Sequence, residues 1–297
     1  MAEGIAEHFQ DLQDIVKFNE PLAPYTYLKL GGPAEVLAQP QSVEDLAKVL
    51  GLCKSHKIPH RILGGGCNVL VRDEGVSGVV IRLSEPVFTQ VEVDGQNVKS
   101  GSGATLAALI SQSARHGLAG LESLVGIPGT VGGALRHNAG DRVSEIGQYV
   151  HAVSAVDGSG KIHNREREDA NFDYRASDLE DAVIVSVKLK LEADSSDAIV
   201  KRMRKAWIQR KSKQPFSFQA AGRMFLHPRG LNVAALIEQV RLTGAKVGGA
   251  QVSERDPNYV IAHSGATAKD VSRLIDLIRS QVRDQFQVEL ETDITMW

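Results

Sequence analysis

Glycine placement constrains this chain more than any other feature. Of 28 glycines in 297 residues, the densest groups are LGGG at 63–66 and GIPGTVGGALRHNAG at 126–140. A residue without Cβ weakens a helix or strand interior but suits a sharp turn or a close backbone approach. The first group ends a β-α-β pattern. AEVLAQP (34–40) reads as strand, SVEDLAKVLGLCKSHK (42–57) as helix, and HRILG (60–64) as a strand running into the glycines. In that helix Ser42 and Asp45 are the expected capping box, and Val43, Leu46, Val49, Leu50 and Cys53 share one face. The second group is too broken for a plain helix or strand interior.

VLV and GVVIRL add short strands, and NVKSGSGATLAALISQSARHG (97–117) repeats strand, glycine turn and helix, closing on Gly117. HAVSAVDGSGKIHN (151–164) reads as a hairpin around Asp157 and Gly158, and DAVIVSVKLKLE (181–192) as a long alternating strand. EADSSD (192–197) is the expected linker. Helices follow over 198–211, 232–244 and 267–286, the last opened by a Thr267/Asp270 capping box, and QVELETDITM closes the chain as a strand. The expected architecture is α+β: an extension over 1–19, a glycine-looped domain of two subdomains over 20–192, and a smaller α/β domain over 193–297.

Bulk properties exclude several classes. A formal net charge of −2 gives no reason to expect nucleic acid or an anionic membrane surface as partner. The basic run KRMRKAWIQRKSK (201–213) reads as a solvated helix face. Cys53 and Cys67 are too few for a disulfide scaffold or a zinc site, so no metal is expected. No secretory pattern or long apolar run is visible, which predicts a soluble cytoplasmic protein, with a monomer favoured. Trp207 and Trp297 are expected to pack.

Bare backbone amides in glycine turns can approach anionic oxygens closely. Neither glycine group is G-x-G-x-x-G with a following ribose acid, nor a Walker loop, so neither a Rossmann nor an NTPase reading follows. Two such loops in one domain, the second closed by Asn138-Ala139-Gly140, fit tight turns and a bulky dinucleotide equally well.

The order LGGGCNVLVRDEGVSGVVIRL (63–83), GLESLVGIPGTVGGALRHNAG (120–140), FDYRASDL (172–179) and LIEQVRLTGAKVGGAQVSERDPNYVIAHSGATAKDVSRLIDLI (236–278) resembles the UDP-N-acetylenolpyruvoylglucosamine reductase family in its compact form. The resemblance runs from about residue 20 to the end. It implies an FAD-binding domain of the vanillyl-alcohol-oxidase (PCMH) type followed by a C-terminal substrate domain. Gly64, Gly65, Gly66, Cys67, Asn68 and Gly126, Ile127, Pro128, Gly129, Thr130, Val131, Gly132, Gly133, with Asn138 and Gly140, would surround the flavin nucleotide. NADPH would be the reductant, and a UDP-sugar enolpyruvate would be reduced to UDP-N-acetylmuramate for peptidoglycan.

Arg175 in YRAS matches the family's carboxylate-binding arginine, with Tyr174 and Ser177 in register and His227 and Asn258 as further substrate contacts. The family turn Ala-Gly-Ser-x-Phe-Lys-Asn-Pro reads AGRMFLHP here, so Arg223 stands at the proton-donor serine, and Leu226 and His227 replace Lys and Asn. DPNY (256–259) replaces His-x-Asn-Phe. The family carboxylate falls on Asp293, or on Glu291 with a two-residue slip. A guanidinium stays protonated and cannot act as a general acid near neutrality. The paired departures predict that Arg223 and Asp293 form an ion pair. The reaction would then be slow or absent unless water, His227 or Tyr259 delivers the proton. The competing readings are a silent flavin- or nucleotide-sugar-binding homologue and a flavin enzyme acting on another acid.

Overall fold

The structure, a computed structural model, describes residues 5–140, 144–179, 182–215 and 220–297. Its contacts divide the chain into two compact units. The first comprises residues 1–18, 35–65 and 77–209; the second comprises 19–34, 66–76 and 210–297.

Two larger sheets lie mostly within the first unit. One orders strands Val16–Pro21, Pro33–Ala38, Val76–Ile81 and His60–Ile62, the last two parallel. Helix Val43–Ser55 covers it with the predicted face. Leu46, Val49, Leu50 and Cys53 are buried against Val36, Val79 and Ile81. The cap is half of the expected box: Ser42 Oγ accepts the Asp45 amide. The second sheet is antiparallel, in the order Ile162–Glu166, Val150–Val156, Val183–Lys190, Asn97–Gly101, Val91–Asp94. The 157–158 hairpin forms as predicted. The first three residues of strand 183–190 are buried without alternation because Val183 and Val185 pack into one core and Ile184, on the opposite face, into another.

The expected linker at 192–197 is structured. Glu192–Ala193 pairs with Leu118–Ala119, and helix Ser196–Lys213 starts directly after it. Buried Ile199 and the partly buried Met203 bind this helix to the first unit, and Arg202 bridges Glu122 and Asp194. The boundary by contact therefore falls after 209 rather than at 193. Trp207, expected to pack, is 47% exposed on this helix. The broken second glycine group contains a short helix after all, Val131–Arg136, capped by Thr130 Oγ1 accepting the Gly133 amide.

The second unit is a four-stranded antiparallel sheet, in the order Ala220–Arg223, Tyr259–Ala262, Ala250–Val252, Lys246–Val247. Helix Ala268–Phe286 lies on it with Val271, Leu274, Ile275, Ile278 and Val282 buried. Helix Val233–Gln239 is shorter than the predicted 232–244. It stops at Val240, and Gly244 (φ 74°) serves a later turn. The predicted terminal strand is reduced to Thr295–Met296, parallel to Val69–Leu70. Ala220–Arg223, expected as an Ala-Gly turn, is an edge strand of the four-stranded sheet, and residues 216–219 lie outside the described residues. Among the described residues no helix is long and apolar enough to cross a membrane.

The Thr267/Asp270 capping box is complete, and Asp73 adds both carboxylate oxygens to the Ala268 and Lys269 amides. Backbone hydrogen bonds from Thr267 and Gly249 hold the Asp270 carboxyl below its ordinary range. A depressed carboxyl stabilises the fold above its unfolded pKa, and that stability is lost as pH falls through the folded value. Thr267→Ala is expected to cost about 1 kcal/mol by urea unfolding at neutral pH. The stability contributed by Asp270, measured as the deficit of Asp270→Asn, is expected to fade as pH falls below the usual carboxylate range.

Candidate functional site

In the first unit three glycine-bearing turns meet. A Cβ on Gly64 would stand 2.5 Å from Thr130 Oγ1, and one on Gly132 would stand 3.0 Å from Ser102 Cβ. Between the second and third turns run backbone bonds from the Leu106 amide to Gly129 O (3.0 Å), the Val131 amide to Ala104 O (2.8 Å) and the Gly132 amide to Ser102 O (2.7 Å). Gly126 and Gly129 take left-handed φ values of 82° and 125°, which lets the loop fold back on itself. Gly65, Gly126, Pro128 and Gly133 are exposed along it, while Ile127 and Val131 pack inward. The turn at 100–104, to which sequence reading attached no role, is the floor of this cradle; its glycine-serine alternation was the available signal.

Asn138 and Gly140 support the loop from behind. Buried Asn138 (φ 38°) donates to Glu145 Oε2 (2.8 Å) and Asp173 O (3.0 Å), and its Oδ1 accepts the Gly147 amide (3.0 Å). Its side chain is thus committed to the scaffold and not turned to a ligand. Gly140 presents its carbonyl to Arg175 Nη2 at 2.9 Å.

Arg175 shows two departures from an ordinary surface arginine. Its φ is 57°, in a tight turn closed by the Asp173–Ala176 bridge, a conformation that costs a non-glycine residue about 1 kcal/mol or more. Its Nε is buried and has no partner among the described residues. A buried unmet donor on a cation is costly, so the arrangement suits an anionic oxygen arriving from outside. Tyr174, 53% exposed, places its ring 5.9 Å from the guanidinium carbon. Ser177 is buried and donates to Arg136 O (3.1 Å), so it anchors the turn.

The second unit holds the predicted pair. Arg223 Nε lies 2.7 Å and Nη2 2.5 Å from Asp293 Oδ2, with the two side chains 23% and 10% exposed. The backbone places them: Asp293 donates its amide to Met224 O (2.8 Å), Leu226 donates to Glu291 O (3.0 Å), and Phe225 bridges Thr292. Of the two registers weighed, Asp293 faces Arg223 and Glu291 is exposed. On the other side Arg223 pairs with Tyr259. Asn258 is buried, with both amide atoms spent on Phe225: Oδ1 accepts its amide (3.0 Å) and Nδ2 donates to its carbonyl (2.9 Å). Asn68 is similarly structural, donating to Asp293 O at 2.8 Å.

Other titratable groups surround the pair. Burial pushes the Asp256 carboxyl and the Tyr259 hydroxyl upward, and Gln214 Nε2 donates to that hydroxyl at 3.1 Å. His227 Nδ1 accepts the Val233 amide (3.3 Å) and shares a cavity of about 250 Å³ with Asp256 and Arg255. Gly66 (φ 62°) and Cys67 precede Asn68 in this unit. Burial pushes the Cys67 thiol up to about 11, so at neutral pH it is a protonated thiol, inert as a nucleophile.

Comparison with known proteins adds the following. A family profile described as "FAD binding domain" matches residues 34–165, and one described as "UDP-N-acetylenolpyruvoylglucosamine reductase, C-terminal domain" matches residues 214–297. UDP-N-acetylenolpyruvoylglucosamine reductase of Moorella thermoacetica is 40% identical over 280 residues, covering 94% of this chain and 92% of the relative. That of Rhodopirellula baltica is 34% identical over 297 residues, covering 100% and 97%. Among solved structures, UDP-N-acetylenolpyruvylglucosamine reductase from Thermus caldophilus aligns with a TM-score of 0.82 at 35% identity, covering 95% of this chain and 98% of that one. A glucose dehydrogenase, Phl p 4.0202, aligns over 64% of this chain at 17% identity and a TM-score of 0.50, a likeness of fold alone.

Breaking the Arg223–Asp293 pair strands a largely buried charge. Asp293→Asn is expected to lower urea-unfolding stability by about 2–3 kcal/mol, while Arg223→Met combined with Asp293→Leu recovers most of it. Equal stability of Asp293→Asn and the parent would show the pair to be energetically idle.

Proposed function

We infer the chemistry of this chain from one premise: it belongs to the UDP-N-acetylenolpyruvoylglucosamine reductase family. The chain is an FAD-dependent oxidoreductase that uses NADPH to reduce the enolpyruvyl ether of UDP-N-acetylglucosamine to UDP-N-acetylmuramate, in peptidoglycan precursor synthesis. The observation that carries this is near-complete coverage of such reductases, with the flavin-type and reductase-type regions in order along one chain.

The residues present fit the flavin nucleotide. The first-unit cradle offers uncharged, open backbone at Gly65, Gly126 and Gly133, which a flat ring or a pyrophosphate can approach closely, while Gly64 and Gly132 let the turns pack on one another. Bound FAD supplies two-electron hydride chemistry. In this reading Gly64, Gly65 and the 126–133 loop hold it. On the same reading, the first unit carries the flavin-type region and the second unit the reductase-type C-terminal region.

Hydride addition to an enolpyruvate drives negative charge toward the neighbouring carboxylate, so fixed cationic donors there lower the barrier. Arg175 suits this task, because its strained turn leaves a buried Nε–H unmet among the described residues and holds Nη2 on Gly140 O. The planar fork binds a carboxylate in two places, which lysine cannot do. Tyr174 flanks that guanidinium, and His227 lines the polar cavity of the second unit.

The purified protein is expected to be yellow, to bleach with NADPH under anaerobic conditions, and to regain colour when the UDP-sugar enolpyruvate is added. Arg175→Gln is expected to lower kcat/KM about 100-fold while bleaching by NADPH persists. A flavin that bleaches but is never reoxidised by the UDP-sugar would make the chain a silent homologue. A colourless protein that takes up no flavin would remove the reading altogether.

A further inference from the structure

We propose that Arg223 itself delivers the proton that completes the reduction, with Asp293 as the residue that positions it. The proposal rests on the reductase reading above and concerns the step at which this chain departs from the family turn.

The objection to a guanidinium as an acid measures it against water. At neutral pH it does not dissociate into solvent. The acceptor in this reaction is a different base. When the hydride forms a C–H bond at the terminal vinyl carbon, the π pair of the C=C bond moves to the carbon that bears the carboxylate. A carbanion there is a far stronger base than neutral guanidine. A guanidinium N–H is also a stronger acid than an alkyl hydroxyl, the donor that the family pattern has at this place. If a serine hydroxyl suffices, a guanidinium suffices on acid strength alone, and its charge stabilises the electron pair before the proton moves.

The step balances. The N–H bond of Arg223 breaks as the second C–H bond of the lactyl group forms. The two electrons that the alkene gains would come from NADPH, oxidised to NADP⁺, by the hydride chemistry that FAD would supply. The neutral guanidine recovers its proton from water, which reaches the side chain because it is 23% exposed. One proton and one NADPH are consumed per product.

Geometry supports a held donor. Arg223 ends strand 220–223, its Nε and Nη2 both engage Asp293 Oδ2, and the Asp293 amide is tied to Met224 O. Strand 220–223 and the backbone bonds that tie residues 291–293 to 224–226 fix the pair, so little side-chain entropy is lost on reaction. The rival donors have other duties. His227 Nδ1 accepts an amide at a helix start, the Asp256 carboxylate accepts the Asn258 amide, and the Tyr259 hydroxyl is held by Gln214. Among the described residues, the groups that face the guanidinium electrostatically include Asp293 from the C-terminal segment, Tyr259 from the paired strand and Asp256 just before it.

The test uses the holoprotein, reduced anaerobically with one equivalent of NADPH and mixed with UDP-N-acetylglucosamine enolpyruvate in a stopped-flow instrument. Arg223→Met is expected to slow flavin reoxidation about 100-fold or more, with bleaching by NADPH unchanged. Arg223→Ser, which restores a hydroxyl and removes the charge, is expected to recover most of that loss. A residue that only props up the fold would not be rescued this way. Urea midpoints and calorimetric binding of the UDP-sugar to each variant separate lost folding or affinity from lost proton transfer. Reoxidation by the parent protein is expected to stay level between about pH 6 and pH 10. A fall through about pH 6.5, or a collapse in Tyr259→Phe, would hand the proton to His227 or Tyr259 and overturn the proposal. So would unchanged reoxidation in Arg223→Met, while leaving the reductase reading intact. A parent protein that the UDP-sugar never reoxidises would instead overturn the reductase reading, and the proposal with it.

Discussion

Close backbone approach is the constraint on which the first unit depends. Thr130 reaches Gly64, and Ser102 reaches Gly132, at distances where a Cβ would collide. The same close packing recurs where Phe88 O and Leu83 O lie against Gly101 and Gly103. A side chain at Gly101 or Gly103 would push against backbone, which cannot move to another rotamer, and one at Gly64 or Gly132 would push against the Thr130 or Ser102 side chain. The loops converge only because the glycines permit it. Once converged, the 126–133 loop is fixed by amides donated to Gly129, Ala104 and Ser102 carbonyls.

That rigidity determines how Arg175 is presented. Its left-handed turn is held by Asp173, Gly140 and Asn138, residues with no ligand-facing task of their own. The strain is local and is offset by the buried network around Asn138. In the second unit the same economy appears in another form. Asn258 and the 291–293 segment grip residues 224–226 from both sides, so Arg223 and Asp293 meet by strand register rather than by chance of rotamer. An ion pair fixed this way can carry chemistry that a mobile surface pair could not.

Much of the architecture was legible from local pattern. The 43–55 and 268–286 helices, the 157–158 hairpin and the full Thr267/Asp270 capping box follow from periodicity and capping chemistry, which act within a few residues. Where elements were misjudged, a distant partner had decided. Glu192–Ala193 became strand because Leu118–Ala119 offered an edge. Helix 196–213 joined the first unit because Ile199 and Met203 found its core. The terminal strand shrank to the two residues that find Val69–Leu70. Helix Val131–Arg136 forms despite two glycines because Thr130 caps it and Ser102 supports it.

For the site, motif order in the sequence alone pointed to the glycine loops, Arg175 and the Arg223/Asp293 departures, since each is a matter of residue type and spacing. Tertiary structure alone decided what each side chain does. It turned Asn138, Ser177, Asn68 and Asn258 inward as struts, and left Arg175 Nε buried and unmet among the described residues. It also chose Asp293 over Glu291. The reason is physical: residue type limits which hydrogen bonds a group can make, but only the folded backbone determines which partners come within 3 Å or so of it.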